Sequence, residues 1–149
     1  MSHSSDPGIN VPLDLMLSSL VQAKTGTGKT TAFLLPALQT TLHQSVPQSQ
    51  VSVLIMSPTR ELAVQIATEA QGLVSKLKRP FEIHTAFGGT ARASALNRFK
   101  NGKPTVLVAT PGRLIDYMSE PGFQQRFKNL RTLILDEADR MLDQGSRSP

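Results

Sequence analysis

Two short stretches carry the residue types needed to handle a phosphorylated ligand. AKTGTGKTT, from Ala23 to Thr31, crowds two glycines, two lysines and four threonines just ahead of an apolar helical pattern. Gly26 and Gly28 tolerate backbone angles and a close approach that side chains would block, so successive N–H groups from Ala23 through Lys24, Thr25, Gly26, Thr27 and Gly28 can point inward at phosphate oxygens. The helix that follows adds the positive end of its dipole. Lys29 is placed to reach the β- and γ-phosphates, the Thr30 hydroxyl to ligate Mg²⁺, and Thr31 to extend the same turn. The generic phosphate loop has glycine where Ala23 stands, and a turn that merely starts a helix fits these residues too. LILDEAD, Leu133 to Asp139, ends an apolar strand in paired carboxylates. Asp136 can hold the Mg²⁺ shell and Glu137 can orient or deprotonate an attacking water. An ordinary acidic helix start is the alternative, because the dipole favours acids in a first turn.

The elements that must position these groups alternate. Strand-like apolar runs fall at Ser19–Gln22, Val51–Ser57, Glu82–Phe87, Thr105–Ala109 and Thr132–Leu135. Helical patterns occupy Lys29–Leu42, Arg60–Leu77, Thr90–Asn101 and Arg113–Met118, and a last one opens near Asp136. Runs such as VSVLIM and TVLVA are apolar throughout, which suits a parallel sheet covered on both faces. The fold class is α/β, a doubly wound parallel sheet in three αβα layers. In such sheets ligands collect at the carboxyl ends of the strands, where both stretches lie.

At 149 residues and 39% hydrophobic content the chain holds one domain. It has no cysteine and no apolar run near the roughly 20 residues of a membrane span. MSHSSDPGIN lacks the layout of a signal peptide, and the first arginine is Arg60, so no mitochondrial presequence is visible. The net charge of +5 favours an anionic partner. Seven basic residues lie between Lys76 and Lys103 against one acid, Glu82; a solvated face is the plain reading of that run, general attraction to a polyanion the functional one.

AKTGTGKT, PTRELA (Pro58–Ala63), the pair Gly88-Gly89, TPGRL (Thr110–Leu114) and DEAD (Asp136–Asp139) stand in an order and spacing that resembles the DEAD-box RNA helicases. The likeness runs from about Leu20 to Gly145 and looks most like the fungal mitochondrial branch. It makes Ala23 a family mark, because the family's loop usually has alanine there. It implies a recombinase-like P-loop fold, ATP and Mg²⁺ as ligands, and coupling of hydrolysis to RNA unwinding through Ala138 and Asp139. It also implies that Pro58, Thr59, Arg60, Gly88, Gly89, Thr110, Pro111, Gly112 and Arg113 grip the sugar-phosphate backbone of RNA. Each of those groups follows a strand and opens a helix, so free N–H groups near an arginine would meet phosphates without reading sequence. With six Phe, one Tyr and no Trp, base stacking is not the expected mode. A monomer without a membrane partner is expected. The compartment is intracellular, with mitochondrial suggested by the resemblance and cytoplasmic or nuclear open.

Residues 1–18 diverge from the family, 19–145 read as the ATP-binding domain, and 146–149 as a tail outside its pattern. No aromatic precedes Phe33 and Gln22 is the first glutamine, so the family's adenine-reading pair is not apparent. The tail from Ser146 reads as a change of frame or splice, and the expected product is the truncated first domain of a helicase, its sheet incomplete at both ends. In the family a second domain supplies arginine fingers, whose loss lowers turnover by about 10³ to 10⁵, or about 4–7 kcal/mol of transition-state stabilisation. A non-catalytic RNA-binding fragment and a non-functional product are the competing expectations.

Overall fold

The computed structural model describes residues 29–43, 47, 49–78 and 81–145. The expected strand Ser19–Gln22, the loop from Ala23 to Gly28 and the tail from Ser146 lie outside the described residues. In chain order the elements are α1 (Lys29–His43), β1 (Val53–Met56), α2 (Arg60–Val74), β2 (Glu82–Ala86), α3 (Arg92–Asn101), β3 (Pro104–Ala109), α4 (Pro111–Met118), a 3-10 turn (Gln124–Phe127), β4 (Thr132–Leu135) and α5 (Ala138–Gly145).

The four strands form one parallel sheet in the order β2-β3-β1-β4, with Val53 opposite Val106 on one side and Thr132 on the other. Successive side chains of a strand face opposite ways, and the core divides accordingly. Val53, Ile55, Val106 and Val108 meet α1 and α2 through Leu34, Leu38, Ala63, Ile66, Ala70 and Val74. Leu54, Leu107 and Ala109 meet α3, α4 and the 3-10 turn through Leu96, Phe99, Tyr117, Phe123 and Phe127. The three-layer, doubly wound expectation holds. The second core holds the four buried aromatic residues, Phe99, Tyr117, Phe123 and Phe127, with the Phe123 ring 4.8 Å from Phe99, 5.2 Å from Phe127 and 5.7 Å from Tyr117 between centroids. Each such side chain contributes about 1.5–3 kcal/mol by leaving water, and none of these four is left to stack on bases.

Element ends differ from the sequence reading for local reasons. α2 stops at Val74, not Leu77, because the Ser75 hydroxyl donates to the Gly72 carbonyl and the next amides tighten into i→i−3 bonds. α4 starts at Pro111, with Thr110 as its N-cap, since a proline needs no amide partner at the first helical position. β1 is shorter than Val51–Ser57. Its flanks still pair: the Val51 amide donates to Arg126 O, Ser52 to Thr105 O and Ser57 to Ala109 O. α3 begins at Arg92, and α5 at Ala138, which leaves Asp136 and Glu137 in the turn before it.

Candidate nucleotide and nucleic-acid site

Strand ends at the carboxyl edge carry the three motifs that follow β1, β2 and β3. After β1, Ser57 and Pro58 are buried, and Thr59 caps α2 by accepting from the Leu62 amide at 3.3 Å. Capping fixes the direction of the helix, and with it the exposed Arg60 in its first turn. Arg60 lies across Gly89: a Cβ there would collide with the guanidinium, and the backbone at φ 93 is itself one that side chains rarely adopt. Gly89 is therefore glycine for two independent reasons, of which the second, room for Arg60, has no signature in the sequence.

The Thr110 amide donates to Ala86 O, binding the end of β3 to the end of β2 and setting the TPGRL turn beside the glycine pair. Arg113 reaches back over it, its Nη2 standing 4.0 Å from where a Gly88 Cβ would be. Gly112 is different. Nothing lies within 4 Å of its missing Cβ, so neither space nor backbone angle inside this chain demands glycine there. Its small size matters only toward something that approaches from outside.

Arg92, with two acids that the sequence reading passed over, decides the charge of this surface. Arg92 Nε donates to Asp116 Oδ2 at 2.8 Å and its Nη2 to Glu120 Oε1 at 2.8 Å. These hydrogen bonds from Arg92 hold both carboxyls below their ordinary range and raise the guanidinium still further. Asp116 is thereby engaged first by Arg92, and Arg113 Nη1 makes a longer ion pair with the same oxygen at 3.8 Å. Arg92 and Arg113 flank the Tyr117 ring at 5.8 and 6.0 Å from its centroid, and burial pushes the Tyr117 hydroxyl up. The i,i+3 spacing of Arg113 and Asp116 was visible in the sequence; the arrival of Arg92 from α3 was not. Arg60, and Arg113 with only its long contact to Asp116, are two cations beside a bare glycine turn, a geometry that fits bridging phosphates.

At the fourth strand, the Asp136 amide donates to Met56 O, so the acidic turn sits at the same edge. Glu137 adopts φ 52, the single non-glycine residue with positive φ among the described residues. Such a backbone costs about 1–3 kcal/mol and persists where its surroundings over-determine it. Its side chain is 13% exposed, and Oε2 accepts from Arg140 Nη1 at 2.6 Å. A carboxylate expected to orient water is thus held by a neighbour one helical turn on. Ala138 and the exposed Asp139 open α5.

Thr30 and Thr31, both half-buried, occupy the first turn of α1, whose amino end Lys29 forms. Among the described residues no three His, Cys, Asp or Glu side chains gather in a metal cage. That donor set still fits Mg²⁺, which keeps several waters and takes one or two protein oxygens plus phosphate oxygens. A hydroxyl at Thr30 and a carboxylate at Asp136 are oxygen donors of the right kind.

A doubly wound α/β domain with glycine turns and acids gathered at its carboxyl edge defines the recombinase-like class. The family described as DEAD/DEAH box helicase matches residues 13–149, and the chain belongs to that family. It is 62% identical over 128 residues to the ATP-dependent RNA helicase mss116, mitochondrial, of Aspergillus oryzae, covering 85% of this chain and 20% of that protein. Against the protein of the same name from Phaeosphaeria nodorum it is 58% identical over 127 residues, 85% of this chain and 23% of the relative. The chain thus spans about a fifth of the length of these relatives. Among solved structures, the yeast DEAD-box splicing factor Prp28 superposes with a TM-score of 0.70 at 32% identity, over 84% of this chain and 29% of that one. Mss116p bound to ssRNA and AMP-PNP gives 0.67 at 38% identity, over 84% and 25%. Among the described residues no helix is long and apolar enough to cross a membrane.

Proposed function

We propose that residues 19–145 are the ATP- and RNA-binding first domain of an ATP-dependent RNA helicase that acts in mitochondria. The observation that carries this reading is the placing of Arg60 over Gly89 and of Arg113 beside Gly88, at the same sheet edge as the acidic turn. The loop from Ala23 to Thr31 would take the triphosphate of ATP. Thr30 and Asp136 would hold Mg²⁺, which when bound neutralises charge on the phosphates. Lys29 would compensate the terminal phosphates, and Glu137, once released by Arg140, would orient the attacking water.

RNA would lie across the glycine turn. Backbone N–H groups at Thr59, Gly89 and Gly112 and the two guanidiniums would bind phosphates regardless of base identity. Ala138 and Asp139, which start α5, would pass the state of the acidic turn to the neighbouring strand ends. The mitochondrial assignment leans on the names of the two fungal relatives.

Titration of the 149-residue polypeptide with a fluorescent ATP analogue and Mg²⁺ tests the reading. Lys29→Ala is expected to weaken binding at least about tenfold, a loss of about 1.4 kcal/mol. Equal affinity in the variant would overturn it. The polypeptide by itself is expected to bind ATP without useful turnover, and RNA-stimulated hydrolysis that Lys29→Ala abolishes would contradict that part.

A further inference from the structure

The second basic surface of the molecule lies at the other end of the sheet. In a parallel α/β fold the amino ends of the strands share an edge with the carboxyl ends of the helices, and that edge collects exposed cations. Lys76 and Lys78 follow α2, Arg98 ends α3, Lys103 precedes β3, and Lys128 and Arg131 precede β4. Two carboxylates stand among them, and both are occupied. Glu82 accepts from His84 Nε2 at 2.7 Å and from the Lys103 amide at 2.9 Å, while Glu120 is shared by Arg92 and Lys100. Among the described residues no carboxylate comes within salt-bridge reach of Lys76, Lys78, Arg98, Lys128 or Arg131.

This edge is a rigid mount. The Arg126 guanidinium lies on the Phe99 ring and donates to the carbonyls of Ser49 at 2.7 Å, Lys100 at 2.6 Å and Phe99 at 3.3 Å. The Arg131 amide donates to Ser52 O. The backbone segments bearing Lys100, Lys103, Lys128 and Arg131 are therefore tied together, which sets where their exposed side chains leave the surface.

We infer that this amino-end edge is a second RNA-binding surface, which takes the phosphate backbone of a double-stranded region without reading its sequence. Three features select that ligand. The cations are spread and do not converge: β3 and β4 are two strand spacings apart, about 10 Å, so no single phosphate can satisfy both flanks. The turns 75–78, 101–103 and 128–131 expose no large apolar side chain, which a membrane surface would need beside the charge. Finally, Phe99, Phe123 and Phe127 at this end are buried in the second core and Phe81 packs half-buried against the first, so splayed single-stranded bases would find no exposed ring to stack on. The edge stands one strand, about 20 Å, from the glycine turn. One RNA could then meet the domain twice, its single-stranded part at the carboxyl edge and its duplex flank at the amino edge.

The choice of RNA rests on the proposed function, so the test separates the two. Fluorescence anisotropy over a KCl series would compare a blunt RNA duplex with a single-stranded oligonucleotide. The triple variant Lys103→Glu, Lys128→Glu, Arg131→Glu is expected to lose at least about tenfold in duplex affinity, with the salt slope reduced by about 2–3. Its single-strand binding should stay within about twofold. Arg60→Ala with Arg113→Ala should do the reverse. Parental duplex affinity in the triple variant would overturn the inference, as would equal loss on both probes or tighter binding to phosphatidylserine vesicles than to duplex. Should charge reversal lower the melting temperature, the Gln substitutions at the same positions carry the test. If the arginine pair has no effect while the triple variant behaves as expected, the carboxyl-edge reading fails and the amino-edge one stands.

Discussion

The two ends of the sheet use arginine in opposite ways. At the amino end the Arg126 guanidinium is spent on the protein itself, capping the carbonyls that α3 and the turn before β1 leave open and lying on a core ring. At the carboxyl end Arg60 and Arg113 rest on glycine turns, and the nearby Asp116 is engaged first by Arg92. The same side chain is a structural bolt in one place and an available cation in the other. The difference lies in which partners the turn offers: unfilled carbonyls in the first case, bare backbone N–H groups in the second.

Alanine at these arginines is the strongest way to break that contrast. Arg126→Ala should cost about 2–4 kcal/mol, because several carbonyls lose a charged donor at once, and should leave nucleotide contacts at the opposite edge intact in the surviving folded fraction. Arg60→Ala should change stability by no more than about 0.5 kcal/mol while reducing the salt slope of single-strand RNA binding by about 1. Urea unfolding and anisotropy read the two effects, and an Arg126→Ala protein as stable as its parent would sink the distinction.

Glycines sharpen it on a smaller scale. A Cβ on Gly102, at the amino end, would come to 2.6 Å from His84 Cε1 and 2.8 Å from Arg98 O, so Gly102→Ala should destabilise by about 1–3 kcal/mol. Gly112→Ala, at the carboxyl end, enters open space in the first turn of α4 and should stabilise by up to about 1 kcal/mol. It should nonetheless weaken RNA binding, because the added methyl stands where phosphate would approach. A thermal melt that falls for Gly112→Ala, or RNA affinity that is unmoved, would count against the role given to that turn.

The smallest effect concerns acid. Glu82, hydrogen-bonded first by His84, and Asp116 and Glu120, hydrogen-bonded first by Arg92, all have carboxyl pKa values lowered by folding. A lowered folded value means stability that is fully present above the unfolded value and lost as pH falls through the folded one. Stability should therefore decline below about pH 4.5, with a shallower decline in Arg92→Gln, measured as urea midpoints across that range. These groups are exposed, so the change should be modest and should shrink in salt.

Much of this was readable in the residues. VLIM and VLVA are apolar without interruption because both faces of β1 and β3 are covered, and PTRELA and TPGRL announce helix starts through a capping threonine and a first-position proline. The ends were harder, because a single hydroxyl at Ser75 decides where α2 stops. Contacts between distant segments left no trace at all. Nothing in GGTAR foretells that Arg92 will take Asp116, nothing in QQRF that Arg126 will hold Ser49, and nothing in DEAD that the second residue will stand at φ 52 with its carboxylate on Arg140. Periodicity reports which face is buried and is silent on partners that only the completed topology supplies.

The strand order has a consequence in time. β1 is central, yet its neighbours β3 and β4 are made long after it, and Arg126 clasps a carbonyl 77 positions earlier in the chain. Pairings so far apart in sequence form slowly, since loop closure must precede any gain. On the ribosome, β1 has to wait with one edge open until the DEAD-bearing segment emerges. The strand that leads into DEAD is thus the one that completes the flanks of β1 among the described residues.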